Sequence, residues 1–144
     1  VASPAGYALR EADAAWAARL GARPRRCDTP AEAVEGADAV YTDVWISMGQ
    51  QEEAWARRRA FAGYTVDDQL LARAAPHAVV MHCLPAHRGE EITAAVLDGP
   101  RAVVWQQAEN RMHALRGLLA FLLGSTDAGA AGAGEADPGE EGRS

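Results

Sequence analysis

The alternation of short apolar runs with helix-patterned stretches most limits the folds open to this chain. The runs at 37–42, 78–82 and 102–105 are too short for independent helices and apolar enough to be buried strands. Between them, apolar residues recur at helical spacing, as at Leu9, Ala12, Trp16 and Leu20 within 8–20. Strand, helix and strand in repeated order imply parallel strands joined by crossover helices. The expected class is therefore α/β, a Rossmann-like parallel sheet with helices on both faces. Residues 1–4 read as the end of a strand and 25–27 as a short one. Helices are expected from Pro30 to a stop at Gly36, and over 51–61, 67–75, 91–97 and 109–123. Thr29-Pro30-Ala31-Glu32 is a helix start with a hydroxyl cap, a proline at the first position and a glutamate able to complete a capping box.

The 144 residues suffice for one domain with one core, expected over 1–124. No apolar run approaches the roughly 18 residues of a membrane-spanning helix, and no secretory signal is present, so a soluble, cytoplasmic protein is expected. Two cysteines, Cys27 and Cys83, form no disulfide framework. Of the net charge of −6, the Gly/Ala/Glu-rich segment 125–144 carries −4, from five acids and Arg143. That segment has no core-forming residue and is expected to be disordered. The body is nearly neutral, which argues against a nucleic-acid groove. All fourteen basic residues are arginine, which excludes a lysine Schiff base or a phosphate-binding lysine from this chain. The chain opens at Val1 rather than methionine, and a longer parent is one expectation.

Three strand ends carry the chemistry, where ligands of open α/β sheets bind. The first is Asp43-Val44-Trp45-Ile46-Ser47-Met48-Gly49. Asp43 can hold an ammonium group and the Ser47 loop a carboxylate, or Asp43 can simply cap a turn. The second is His82-Cys83-Leu84-Pro85, followed by His87, Arg88, Glu90 and Glu91. Cys83 near cations can handle protons, or it can be a small buried hydrophobe. A zinc site from His82, Cys83 and His87 lacks a second ligand pair at proper spacing. The third is 106–113, expected to open the last helix, where backbone amides favour anions and Arg111 offers a planar donor fork. Taken alone, Glu109 and Arg111 are equally a solvated face. Arg57-Arg58-Arg59 is expected on a helix surface, and the four tryptophans in packing.

In this order the three elements resemble ornithine carbamoyltransferases. Ser3-Pro4-Ala5-Gly6-Tyr7 and the stretch 35–43 fit the same family. The resemblance covers about 1–124. It implies transfer of a carbamoyl group from carbamoyl phosphate to the side-chain amine of L-ornithine, giving citrulline and phosphate, in arginine metabolism. It implies that Asp43 holds the ornithine α-ammonium and that Ser47 and Met48 contact its amino-acid end. Cys83 lies by the attacking amine and assists its deprotonation. Cys83 and Leu84 border carbamoyl phosphate, and Arg111 binds the carbonyl oxygen. No metal or organic cofactor is implied, no nucleic acid or membrane is a partner, and the family assembles as homotrimers or multiples of trimers.

The chain also departs from that family. A Ser-x-Arg-Thr phosphate loop and a His-Pro-x-Gln element are absent, as are a first strand and its Gly/Asn-rich turn. In a 3-2-1-4-5 sheet that strand is central, so its absence would leave unpaired backbone and an open core. The resemblance thus implies a C-terminal fragment, unstable and inactive alone. Alternatives are a carbamoyltransferase for an acylated ornithine or a diamine, and a non-catalytic remnant that binds an amino acid or a partner subunit. The Ser47-Met48-Gly49 loop favours free ornithine.

Overall fold

The computed structural model describes residues 1–47, 49 and 51–124; Met48 and the expected tail over 125–144 lie outside the described residues. The order of elements is α1 (Glu11–Arg19), α2 (Pro30–Val34), β1 (Ala39–Thr42), a 3-10 turn (Gln51–Glu53), α3 (Ala54–Ala60), α4 (Asp68–Leu71), β2 (Val79–His82), α5 (Ala94–Leu97) and α6 (Val104–Leu122). The expected α/β class is what the chain adopts: helices alternate with parallel strands.

Local chemistry sets most helix starts. The Thr29 hydroxyl accepts the Glu32 N–H at 3.2 Å, with Pro30 at a position that needs no donor. Glu32 reaches back as a capping box requires, but to the N–H of Asp28 rather than that of Thr29. Asp67 caps α4 by accepting the Leu70 N–H at 2.8 Å, and Thr93 caps α5 through the Val96 N–H at 3.3 Å. α1 begins at Glu11, later than the periodicity predicts, because residues 4–7 form a turn closed by Tyr7 N–H to the Pro4 carbonyl.

Two expectations are corrected. α5 spans Ala94–Leu97 rather than 91–97, since Thr93 takes the cap and Glu91 is drawn into the interior. The run 102–105 is not a strand. Ala102 makes an isolated bridge to Val80, the Val103 N–H reaches the Val80 carbonyl at 2.9 Å, and α6 already begins at Val104. A four-residue apolar run does not by itself separate a strand from the first turn of a buried helix. Arg111 consequently sits about two turns inside α6 rather than at its start.

β1 and β2 pair in parallel, Ala39 with Val79 through Thr42 with His82. The chain divides into two compact units, Val1–Glu109 and the segment from Asn110 onward. Val40 and Val80 lie in the core of the first unit with Val66, Leu71, Ile92 and Leu97. The edge of β1 away from β2 pairs with no strand among the described residues. A groove of about 450 Å³ lies there, lined by Val1, Ala2 and Ser3 on one side and by Ala39, Tyr41 and Asp43 on the other. Ala2 itself bridges in parallel to Cys27. Of the tryptophans only Trp45 is buried; Trp16, Trp55 and Trp105 are 58%, 72% and 59% exposed, against the expectation of packing. No helix among the described residues is long and apolar enough to cross a membrane.

Candidate active site at two neighbouring strand ends

Asp43 follows the last residue of β1 and Cys83 follows the last residue of β2. Because Thr42 is in register with His82, the two side chains leave the sheet side by side. Cys83 Sγ donates to Asp43 Oδ1 at 2.9 Å, and the same oxygen accepts the Val44 N–H at 2.7 Å. Asp43 therefore closes its own turn and engages the thiol at once. The thiol was expected near cations; one of its polar partners here is a carboxylate. Burial, and then the hydrogen bond and charge of Asp43, push the Cys83 thiol above its ordinary value. Tyr41, two residues before Asp43 on the extended strand, points the same way. Its hydroxyl is also pushed up, first by burial and then by the neighbouring Cys83.

The segment after Cys83 is held from beneath by a buried polar cluster. His82 is 1% exposed and Glu91 fully buried. The Leu84 N–H donates to His82 Nδ1 at 2.8 Å, so Nδ1 is the acceptor and Nε2 carries the hydrogen. Nε2 faces Glu91 Oε1 at 3.2 Å, and that oxygen also accepts the His87 N–H at 2.5 Å. Glu91 Oε2 is buried with no hydrogen-bond partner among the described residues; His87 Nδ1 stands 3.9 Å away. Leu84 has φ of 56°, in the left-handed region, and the Leu84–Pro85 bond is cis. A non-glycine residue there is strained by about 1–3 kcal/mol, and the His82 acceptor offsets part of that cost. Both ring nitrogens of His82 are thus engaged within the protein, which removes it from the zinc reading. No group of three metal-ligating side chains occurs among the described residues.

The segment after Asp43 is held by rings. Trp45 stacks on Phe61 at 5.9 Å between centroids, and Phe61 also meets Tyr7 at 5.0 Å and Tyr64 at 5.9 Å. Arg57 donates to the Trp45 carbonyl at 3.3 Å, pairs with Glu53 and lies over the Tyr7 ring. Its side chain is 16% exposed, against the expectation of a helix surface, whereas Arg58 is half-exposed as expected and pairs with Glu90 at 2.9 Å. Ser47 is exposed, and Leu84 is half-buried. The structure thus brings Asp43 and Cys83 together, with Leu84 following. Arg111 belongs to the second unit, and Met48 lies outside the described residues.

Three polar residues of this site escape a reading by motif: Glu91, Tyr41 and Gln107. The His82 N–H donates to Gln107 Oε1 at 3.0 Å, and Gln107 Nε2 donates to the Tyr41 hydroxyl at 3.3 Å. The period-2 relation of Tyr41 to Asp43 was the signal available for the phenol.

Comparison with known proteins gives the family. Residues 1–122 match the aspartate/ornithine carbamoyltransferase Asp/Orn-binding domain. The ornithine carbamoyltransferase of Acidothermus cellulolyticus is 60% identical over 127 residues, covering 85% of this chain and 41% of that protein. The enzyme of that name from Haloquadratum walsbyi is 54% identical over 123 residues, covering 85% and 40%. The solved structure of ornithine carbamoyltransferase from Pyrococcus furiosus superposes with a TM-score of 0.79 at 46% identity, covering 88% of this chain and 42% of that one. This chain spans about two fifths of the length of these relatives. With this match over nearly all of its described residues, the chain belongs to the aspartate/ornithine carbamoyltransferase family and corresponds to its Asp/Orn-binding domain.

Proposed function

We propose that this chain supplies the amino-acid side of an ornithine carbamoyltransferase, which transfers carbamoyl from carbamoyl phosphate to L-ornithine in arginine metabolism. The observation that carries the reading is the Cys83 Sγ–Asp43 Oδ1 contact of 2.9 Å at the ends of adjacent parallel strands, within a domain of this family. Asp43 receives the α-ammonium of ornithine. An ammonium arriving there competes for the oxygen that now takes the thiol hydrogen, and so releases the thiol toward the attacking amine. The amine must lose a proton before its lone pair can attack the carbamoyl carbon, and Cys83 accepts that proton as the thiolate, its own proton having first passed to solvent. As the new C–N bond forms, the C–O bond to phosphate breaks and phosphate leaves. Charge grows on the carbonyl oxygen, where Arg111 serves as a preorganised donor. Ser47 and Met48 contact the amino-acid end, and Leu84 borders the carbamoyl phosphate. The enzyme works in the cytoplasm as a homotrimer or a multiple of one.

Citrulline formation from ornithine and carbamoyl phosphate tests the reading. The chain is assayed alone and mixed with a separately expressed domain bearing the family's phosphate loop. Activity in the mixture is expected, and Cys83→Ala should lower its kcat about 100-fold. Silence in a mixture shown to be folded would favour the non-catalytic remnant. Preferred turnover of acetylornithine or putrescine would reassign the substrate.

A further inference from the structure

We propose that the groove beside β1 is a strand-acceptor site: it takes one extended apolar segment, parallel to β1, from the part of a family-length polypeptide that this chain does not span. Such docking is independent of the chemistry proposed for Cys83.

The alternation of backbone bonds along the ladder defines both walls of the groove. The Val80 N–H donates to the Arg101 carbonyl at 2.8 Å, and the Val80 carbonyl accepts the Val103 N–H at 2.9 Å, so Val80 faces away from β1. Val79 and Met81 therefore face β1, and the Val79 N–H reaches the Asp38 carbonyl at 3.0 Å. On the β1 side, Asp38, Val40 and Thr42 then direct their backbone groups to β2, while Ala39 and Tyr41 direct theirs into the groove. On the opposite wall the Val1 carbonyl accepts the Cys27 N–H at 2.9 Å, which turns the Ala2 carbonyl away from Cys27 and toward the groove. Two strand edges thus face each other across about 450 Å³. Each offers backbone hydrogen-bonding groups, and no strand lies between them among the described residues.

A strand carries donors and acceptors on both edges, so one extended segment satisfies both walls at once. Its direction follows from its surroundings, because Ala2 with Cys27, β1 with β2 and Val80 with Ala102 all pair in parallel. Its length matches the four residues of β1. Alternate side chains would meet Val34, Val40 and Val66, which line the groove and are buried, so those positions are apolar. Proline is excluded from its centre, since every N–H there serves one wall or the other. The β1 strand of a second copy already has β2 on one edge, so it satisfies one wall and not both. Residues 125–144 contain no apolar side chain larger than alanine except Pro138, and so do not supply the segment. This chain covers 41% of the Acidothermus relative, and the remainder of such a polypeptide is the source.

The test is amide hydrogen exchange at residue resolution on the full chain, alone and with overlapping 12-residue synthetic peptides tiling the unmatched part of that relative. One contiguous set of overlapping peptides is expected to slow exchange at Ala39 and Tyr41 about tenfold or more. Val40 and Thr42, which face β2, should be slow without any peptide. Tyr41→Pro removes a donor on the groove side only, and should weaken binding of the active peptide about tenfold. Tyr41→Ala keeps that N–H and should bind within about threefold of the unsubstituted chain. If Tyr41→Pro does not fold, the exchange pattern of the unsubstituted chain decides. The proposal is overturned if no peptide slows Ala39 and Tyr41, or if a peptide binds and leaves both fast. Amides of Ala39 and Tyr41 already slow in the chain alone would also overturn it, in favour of a second copy where sedimentation shows dimers.

Discussion

The two segments that leave the sheet at the site are anchored by different physics. Residues 82–91 are pinned by directional bonds converging on two buried groups: His82 fixes Leu84, and Glu91 fixes both His82 and His87. Residues 43–47 are held by packing, with Trp45 against Phe61 and the Arg57 guanidinium capping the Trp45 carbonyl. Hydrogen bonds fix a group in distance and angle, whereas ring contacts tolerate sliding. The end proposed to carry proton chemistry is therefore built to one geometry. The end proposed to recognise the amino acid can adjust. Preorganisation is concentrated where a transition state gains from it.

That contrast can be broken. Glu91→Leu removes the acceptor shared by the His82 and His87 N–H groups while keeping a side chain of similar bulk. It should cost about 2–3 kcal/mol in urea unfolding, the penalty of buried polar groups left without their partner. Trp45→Phe trims the indole to a single ring that can still pack on Phe61, and should cost about 1 kcal/mol. Equal costs, or the reverse order, would dissolve the distinction between the two anchors. The smallest effect sharpens it. Cys83 holds its proton longer in the folded chain than in the unfolded one, its pKa being raised by burial and then by Asp43. The unfolded thiol is lost as an acid first, so native stability should fall as pH rises through the unfolded thiol value toward the folded one. Asp43→Asn should flatten that slope, measured as the urea midpoint across the alkaline range.

What the sequence made legible follows from how local each cause is. Thr29, Pro30 and Asp67 act on backbone within three residues of themselves, and the elements they start stand close to where they were expected. Strand existence at 39–42 and 79–82 was equally readable. The start of α6 was not, because the run 102–105 satisfies strand and helix alike until the Val80 carbonyl and the core choose between them. Asp43 and Cys83 could each be singled out, but their contact depends on the register of two strands forty residues apart in sequence, by the separation of the bond itself. Glu91 was misplaced for a thermodynamic reason. A carboxylate is rarely buried, and only His82 and the His87 N–H, brought from either side, make its burial tolerable.

The uneven burial of the tryptophans has an optical consequence. Three indoles stand in water, and the fourth, Trp45, is 9% exposed and lies two residues beyond Asp43. Emission from this chain should separate into a red, easily quenched majority and a blue fraction that acrylamide reaches slowly. That blue fraction arises from the very segment proposed to meet the amino acid. The protein thus carries its own fluorophore at that spot, and a substrate analogue that repacks Trp45 against Phe61 would announce itself by colour, without any label and without turnover.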